Sequence, residues 1–504
     1  MLGQKTKCFK QHPTLCLEDL VPLNNFYRKV EAKLDLSFVR DLVKDKYCWW
    51  NGRPSIDPVV FFKLQLIMFF EGIRSERQLM EMASMRLDHL WYIDYDFDEP
   101  VPDHSSLSDI RDRYGFEVFQ KFFEHIVERC IEAGLVKGKE LYFDGTKVRA
   151  NAAISGLVPR WYWEAQQHIA ELFGQEVSSE EITQEKSTSI PSCLVEKYNG
   201  TRLTGRRQKT YKRTIDEKVS PTDPDASPMN SSKGGTAKLE YHTHYIVDGG
   251  KARIILAALT TPSSIMDNTP MLDLERWARF RWGISPDIAV GDAKYGTVDN
   301  IVGIEQDGMK AYTPTSDFSK RTKFYPAERF DYDSERDLYI CPEDQELPLH
   351  AKRKSEQVFV YRADKTTCNA CPVKAECTDS KSGRHIFRSF FQEYLDRAKS
   401  YRETEAYKKA MRKRQVWVEP LFGEGKQWHG MRQFRLRRLQ KVNIEGLVRA
   451  AGQNIKRLLK HQNRPPCPPA QENRAALAVP KPFVDIHRIL VSFKWAFWGR
   501  SAPC

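Results

Sequence analysis

Hydrophobic positions change their spacing along the chain, and that change divides it. Up to about residue 133 they recur at helical intervals. Asp57-Pro58 pairs a capping acid with a proline at the first helical position, and an apolar run then reaches Phe70 before Glu71-Gly72. Ser75 opens a second helix over 75–83, with Leu79, Met80 and Met82 available for burial. Pro102-Asp103-His104-Ser105-Ser106 predicts a turn and a helix through Arg113, and an amphipathic helix over 116–133 ends at Gly134. An N-terminal helical domain over 1–135 follows, either a DNA-binding or dimerisation module or a helical cap with no ligand of its own.

Strand-like runs then take over. Leu141-Tyr142-Phe143 delivers Asp144 into Gly145, and Lys147-Val148-Arg149 leads away from it. Asp-Gly is a turn-forming pair, so residues 140–153 predict a hairpin with a carboxylate at its bend. Residues 154–240 lose the pattern, with a polar run at 178–192, a basic run at 202–213 and a Pro/Asp/Ser-rich stretch at 219–235. They predict an exposed insertion with a helix or two around 161–173. Order resumes with strands at 241–248 and 252–259 about Gly249-Gly250, and a helix at 267–281. A short strand at 287–290 runs into Gly291-Asp292, and a helix at 298–306 and a strand at 311–313 follow. That order makes a mixed sheet flanked by helices.

Residues 393–462 are helical and basic, with eighteen Lys/Arg against five Asp/Glu between Arg397 and Lys460. A Pro-rich linker at 465–469 opens a tail, 463–504, with an aromatic ending. The most apolar run, 59–70, contains Lys63 and Gln65 and is too short to span a bilayer, so a buried helix is expected and no membrane partner. The chain of 504 residues has 41% hydrophobic and 29% charged residues, an ordinary balance for a soluble protein of several modules. Its net charge of +12 favours a polyanionic partner. No signal peptide opens the chain, so its eleven cysteines point to a reducing, cytoplasmic setting.

Asp144 and Asp292 share a local pattern: apolar strand, acid, turn. Two such strands ending on one side of a sheet would bring the carboxylates to a shared cation. Mg²⁺ takes a few carboxylate oxygens and keeps places for water and phosphate, and paired ions serve phosphodiester cleavage. A third carboxylate is Glu419, an acid among cations and aromatics in RKRQVWVEPLFGEGK. From the residues alone it is equally an ion-pair partner, and Asp144 and Asp292 are equally turn-forming residues. Asp223, Asp225 and Asp248 are competing acids.

Four ordered motifs resolve this. They are DGTKVRANA from Asp144, TDPDA from Thr222, GDAKYG from Gly291, and VEPLFG from Val418 with Lys426 behind it. Together with Gly72-Ile73-Arg74-Ser75 and Pro102–Ser106 they make the chain resemble, over about 50–460, the DDE transposases of bacterial insertion sequences. In the branch it resembles, a β-rich, cysteine-containing insertion precedes the final acid. The resemblance implies an RNase H-like core over 136–317 that contains the polar insertion 154–240. An insertion over 318–392 and C-terminal catalytic helices over 393–462 follow. It implies Asp144, Asp292 and Glu419 as the acids that hold two Mg²⁺ or Mn²⁺ ions, with Lys426 and Arg414 facing DNA phosphates. Related enzymes place an arginine where Gln415 stands here, beside Arg414. The implied activity is cleavage at insertion-sequence ends and strand transfer into target DNA. The nearest alternatives are a nuclease of the same fold and an inactive DNA-binding protein. Terminal inverted repeats, target DNA and a second copy of the chain are the expected partners, in the bacterial cytoplasm near the nucleoid.

Cys341, the pair Cys368 and Cys371, and Cys377 supply four thiolates suited to a structural Zn²⁺, or less well to an iron–sulfur cluster. His385 is a reserve ligand, while Cys48 and Cys130 suit a core. Residues 428–438, WHGMRQFRLRR, mix aromatics with Arg432, Arg435, Arg437 and Arg438 on what the pattern treats as a helix. With Lys147, Arg149 and Lys294 these are candidate DNA contacts, mainly to the backbone.

Overall fold

The computed structural model describes residues 16–48, 55–174, 218–229, 237–315 and 323–462. The polar and basic runs at 178–192 and 202–213 and the tail from 463 lie outside them. The N-terminal helices form where capping chemistry placed them. Asp57 accepts the Val59 amide to start α1 (Pro58–Phe70), and Ser75 accepts the Gln78 amide to start α2 (Glu76–Met85). α3 (His104–Glu132) breaks at Gly115, whose φ of 67° separates two helical stretches. α1 is buried on nearly all sides, and its Lys63 is neutralised by Asp94 at 2.7 Å and Glu31 at 3.1 Å.

The main sheet has six strands: β1 (Glu140–Arg149), β2 (Ser227–Met229), β3 (Lys238–Asp248), β4 (Ile255–Pro262), β5 (Ile288–Val290) and β6 (Lys310–Tyr312). Its order is β2-β3-β1-β5-β6, with β4 also on β3. β3 runs antiparallel to β1 and β4, whereas β5 and β6 continue parallel to β1. α4 (Met271–Trp282) and α5 (Val298–Gln306) connect the strands of the parallel half. The mixed α/β architecture with a helical N-terminal region is thus as expected.

The hairpin at 140–153 is not. β1 is one strand through Asp144 and Gly145, paired with β3 from Leu141 opposite Asp248 to Arg149 opposite Glu240. Nine cross-strand pairs outweigh the local preference of Asp-Gly for a turn. Gly145 serves close approach instead, since a Cβ there would meet His244 Nδ1 and the Tyr295 hydroxyl at 3.2 Å.

The segment before the final acid is β-rich, as the resemblance implies, though its own sequence is poorly patterned. It forms a five-stranded antiparallel sheet of β7 (Asp331–Asp333), β8 (Leu338–Ile340), β9 (Glu346–Arg353), β10 (Val358–Arg362) and β11 (His385–Ser389). Phe330, Tyr339, Leu347, Tyr361 and Ile386 give it a small core of its own.

The chain ends its described part in α6 (Glu405–Trp417), α7 (Glu419–Trp428) and α8 (Leu439–Gln462). One continuous apolar core joins α1, α3, the main sheet and α8. Two buried asparagines fix α8 to the free side of β4. Asn443 accepts the Thr260 amide at 2.7 Å and donates to its carbonyl at 2.8 Å; Asn454 does the same with Ile255 at 2.9 and 2.8 Å.

Candidate active site

Strand register brings the first two acids abreast. Tyr142 pairs with Val290 across the parallel β1–β5 ladder, and Asp144 and Asp292 each stand two residues further on. Alternation of side chains returns both to the face of that pair. Asp292 lies just beyond β5, where its carboxylate accepts the Lys294 amide at 2.8 Å. Glu419 arrives from the other end of the domain as the first residue of α7. Pro420 behind it has no amide to donate, so the helical run restarts at Glu419 instead of continuing from α6.

Arg414, in the last turn of α6 and buried, ties the acids together. Its guanidinium is 3.6 Å from Asp144 and 3.3 Å from Glu419. Burial pushes the Asp144 carboxyl up to about 6, and the charges of Asp292 and Glu419 push it the same way. Arg414 and the Gly145 amide act against them. A carboxyl raised by burial and like charge is the environment a cation relieves.

Cations surround the acids. Lys426 is seven residues past Glu419, two helical turns on, and donates to the Thr146 hydroxyl at 2.6 Å. Burial lowers the pKa of its ammonium, against the pull of Glu240 and Asp144. Lys294 is exposed, but its ammonium is held by Asp267 at 2.7 Å, and His242 meets the other oxygen of Asp267 at 2.8 Å. Asp267, His242, Thr146 and Tyr295 were not singled out from the sequence. The available signals were His242 and His244 alternating along their strand, and the places of Thr146 and Tyr295 within the DGTKVRANA and GDAKYG motifs.

The remaining predicted cations separate by environment. Lys147 is half-buried on β1, and Arg149 is exposed at its end. Residues 429–438 are not helical: Gly430 takes a φ of 64°, and the segment lies alongside the end of β1. There the Phe434 amide reaches the Arg149 carbonyl at 2.8 Å, and the Arg149 amide reaches the Arg432 carbonyl at 3.3 Å. Arg432, Arg437 and Arg438 are exposed along it, with Arg437 also donating to the Asn151 carbonyl. Arg435 turns inward, with Glu76 at 2.9 Å and its amide on Glu445.

The competing acids have structural partners. Asp248 accepts the Lys137, Gly138 and Gly250 amides. Asp223 and Asp225 accept those of Arg438 and Leu439, capping α8 from a distant segment.

In the five-stranded sheet, Cys341, Cys368, Cys371 and Cys377 line one cavity of about 70 Å³. Burial raises the pKa of the Cys377 thiol, the other three thiols raise it further, and Arg384 opposes them. Even so, among the described residues no three His, Cys, Asp or Glu side chains are placed as a ready ligand set for a metal ion, at the cysteines or at the acids. Cys130 is in the core as expected; Cys48 is exposed instead, at the end of a described stretch.

Two matches to protein families complete the picture. Residues 15–113 match a transposase domain, DUF772, and residues 340–459 match a transposase DDE domain. The chain is therefore a transposase. More narrowly, the pair of matches places it among the DDE transposases of insertion elements, DNA-acting enzymes that typically use divalent metal ions. Arg414, Glu419, Lys426 and the four cysteines lie within the second match, whereas Asp144 and Asp292 lie between the two. No curated protein and no solved structure matches the chain. Among the described residues no helix is long and apolar enough to cross a membrane.

Proposed function

We propose that Asp144, Asp292 and Glu419 are the catalytic acids of an RNase H-like transposase that cuts DNA at the ends of its insertion sequence. The freed 3′-hydroxyl is then joined to target DNA. The observation that carries this reading is the meeting of Asp144 from β1 and Glu419 from the start of α7 on the Arg414 guanidinium, with Asp292 at the end of β5 close enough for its charge to act on Asp144. The sheet order supports the fold assignment, with β1, β3 and β4 antiparallel, β5 and β6 then parallel to β1, and the short β2 added beside β3.

The three carboxylates are hard oxygen donors suited to Mg²⁺ or Mn²⁺. Two such ions would activate the attacking oxygen and stabilise the leaving one. The chain's own groups do the rest. Arg414 keeps Asp144 and Glu419 together against their mutual repulsion. Lys426, fixed on Thr146, and Lys294, fixed on Asp267, place positive charge where a phosphodiester would lie. Arg149, Arg432, Arg437 and Arg438 extend that charge along the end of β1 and guide the DNA backbone. Residues 1–135 read the transposon ends or pair two copies of the chain, and the enzyme works as a homodimer in the bacterial cytoplasm.

The experiment is incubation of the protein with Mg²⁺ and DNA that carries the element's terminal inverted repeats. Joined products are expected. Nicks without joining would make it a nuclease, and DNA retention without cleavage would make it a binding protein.

We also assign Zn²⁺ to Cys341, Cys368, Cys371 and Cys377. Four thiols lining one small cavity match in number and kind the sulfur donors that a structural Zn²⁺ takes, and a metal there would pin the short helices carrying Cys368 and Cys377 to the sheet. Metal analysis of the purified chain should find about one zinc per chain. A fully folded, zinc-free protein would end this assignment.

A further inference from the structure

The sheet of β7–β11 has two unlike faces. Cross-strand pairing puts Leu349, Tyr361 and Ile386 in one row, on the side of the small core. On the opposite side Ala351, Val360 and Phe387 form the matching row, with Arg353, Val358 and Ser389 in a row two residues along. Arg362 and His385 face each other beyond it. Among the residues of these opposite-side rows Val360 alone is fully buried, so this side is not a second core.

It has an aromatic ring and cations instead. Phe387 is 53% exposed, an unusual state for a phenylalanine in a strand. The Arg353 guanidinium stands 5.5 Å from its ring centre. His350 occupies the bulge between Leu349 and Ala351, exposed. Arg353 and Arg362 stand on this side, whereas Lys352, Arg384 and Arg388 turn to the core side over the rings of Phe359, Phe330 and Tyr332; the single acid of segments 350–362 and 383–389 is Glu356. Glu356 meets Arg353 at 3.4 Å, so the excess stays positive. Burial lowers the pKa of His385, and Arg362, His350 and Arg353 lower it further, as expected where cations crowd one face.

An exposed ring on an edge strand between cations fits a strand of nucleic acid whose bases are unpaired. Each base offers a face to stack, and each phosphate a charge to neutralise. Duplex DNA hides its base faces and would leave Phe387 unused.

We propose that this outer face, centred on Phe387 and flanked by Arg353 and Arg362, binds an unpaired DNA strand. The inference rests on the DNA-transposing function only for the choice of DNA, since an enzyme that opens transposon ends exposes such strands beside its acids.

The test is fluorescence anisotropy of the full chain with labelled oligo-dT and with a duplex of equal length. Phe387→Ala should weaken oligo-dT binding about tenfold and leave the duplex nearly unaffected, while Phe387→Tyr keeps a ring and retains binding. Arg362→Gln should weaken oligo-dT binding severalfold and reduce its salt dependence. Thermal unfolding of each variant establishes that the sheet is intact. Oligo-dT binding unchanged in Phe387→Ala, or an equal loss for both DNA forms in a folded variant, overturns the proposal. End cleavage is scored separately. Protein that binds oligo-dT through Phe387 but never cuts terminal repeats would overturn the proposed chemistry and leave this surface standing.

Discussion

Asp144→Asn should reduce cleavage and joining on the order of a thousandfold or more, with binding to terminal-repeat DNA preserved. The substitution keeps size and hydrogen-bonding reach and removes one charge at the point where three carboxylates meet. It also removes a carboxyl that burial and like charge already disfavour as an anion. Thermal stability in metal-free buffer should therefore hold or rise slightly, an outcome that separates lost chemistry from lost folding. Added Mn²⁺ should raise the unfolding temperature of the parent protein and do much less for the variant. Cleavage that survives in Asp144→Asn would show that the acids are wrongly assigned.

A second large effect is expected far from the acids. Gly452 lies on α8 against Phe69 at the end of α1, and a Cβ at this position would overlap the ring, with Cγ at 2.6 Å. Phe69 stacks on His429 at 4.0 Å between ring centres, and its carbonyl meets His429 Nδ1 at 2.7 Å. His429 directly follows α7, the helix that Glu419 begins. Gly452→Ala should cost about 1–3 kcal/mol of stability, the usual range for an overpacked core. It should also lower cleavage, because displaced Phe69 moves the far end of α7. Chemical denaturation measures the first effect and the end-cleavage assay the second. Gly452→Ala combined with Phe69→Leu should recover much of both. A single variant as stable as the parent would show that Phe69 rotates away freely.

The contrast between these two sites shows what the linear sequence could reveal. Asp57-Pro58 and Ser75 announce helices whose observed starts agree, because capping is settled within a few residues. The strand at Val290 and the acid after it were legible for the same reason. Asp144-Gly145 misled because its local preference competes with pairing to β3, which lies about 100 residues away and carries no mark that names its partner. The short strands β7–β11 were hidden by their polar outer positions, which suit a sheet with only one buried face. Arg435 looked like another DNA contact in a basic run. Its partner Glu76 stands 359 residues earlier, a pairing that no reading of neighbours could find. Asp223 and Asp225 resembled catalytic acids until α8 was seen to begin on them.

The two asparagines on α8 have a consequence for synthesis. β4 lies at the margin of its sheet, and an apolar strand with unpaired backbone groups is a template for other chains. Asn443 and Asn454 occupy those groups at Thr260 and Ile255, standing in for the strand that is absent. They emerge from the ribosome some 183 and 199 residues after the edge they cover. For that interval the nascent transposase carries an adhesive margin. Copies of the element truncated before α8 should then yield aggregating fragments in place of soluble competitors for the transposon ends, and a decayed neighbour would not silence an intact one.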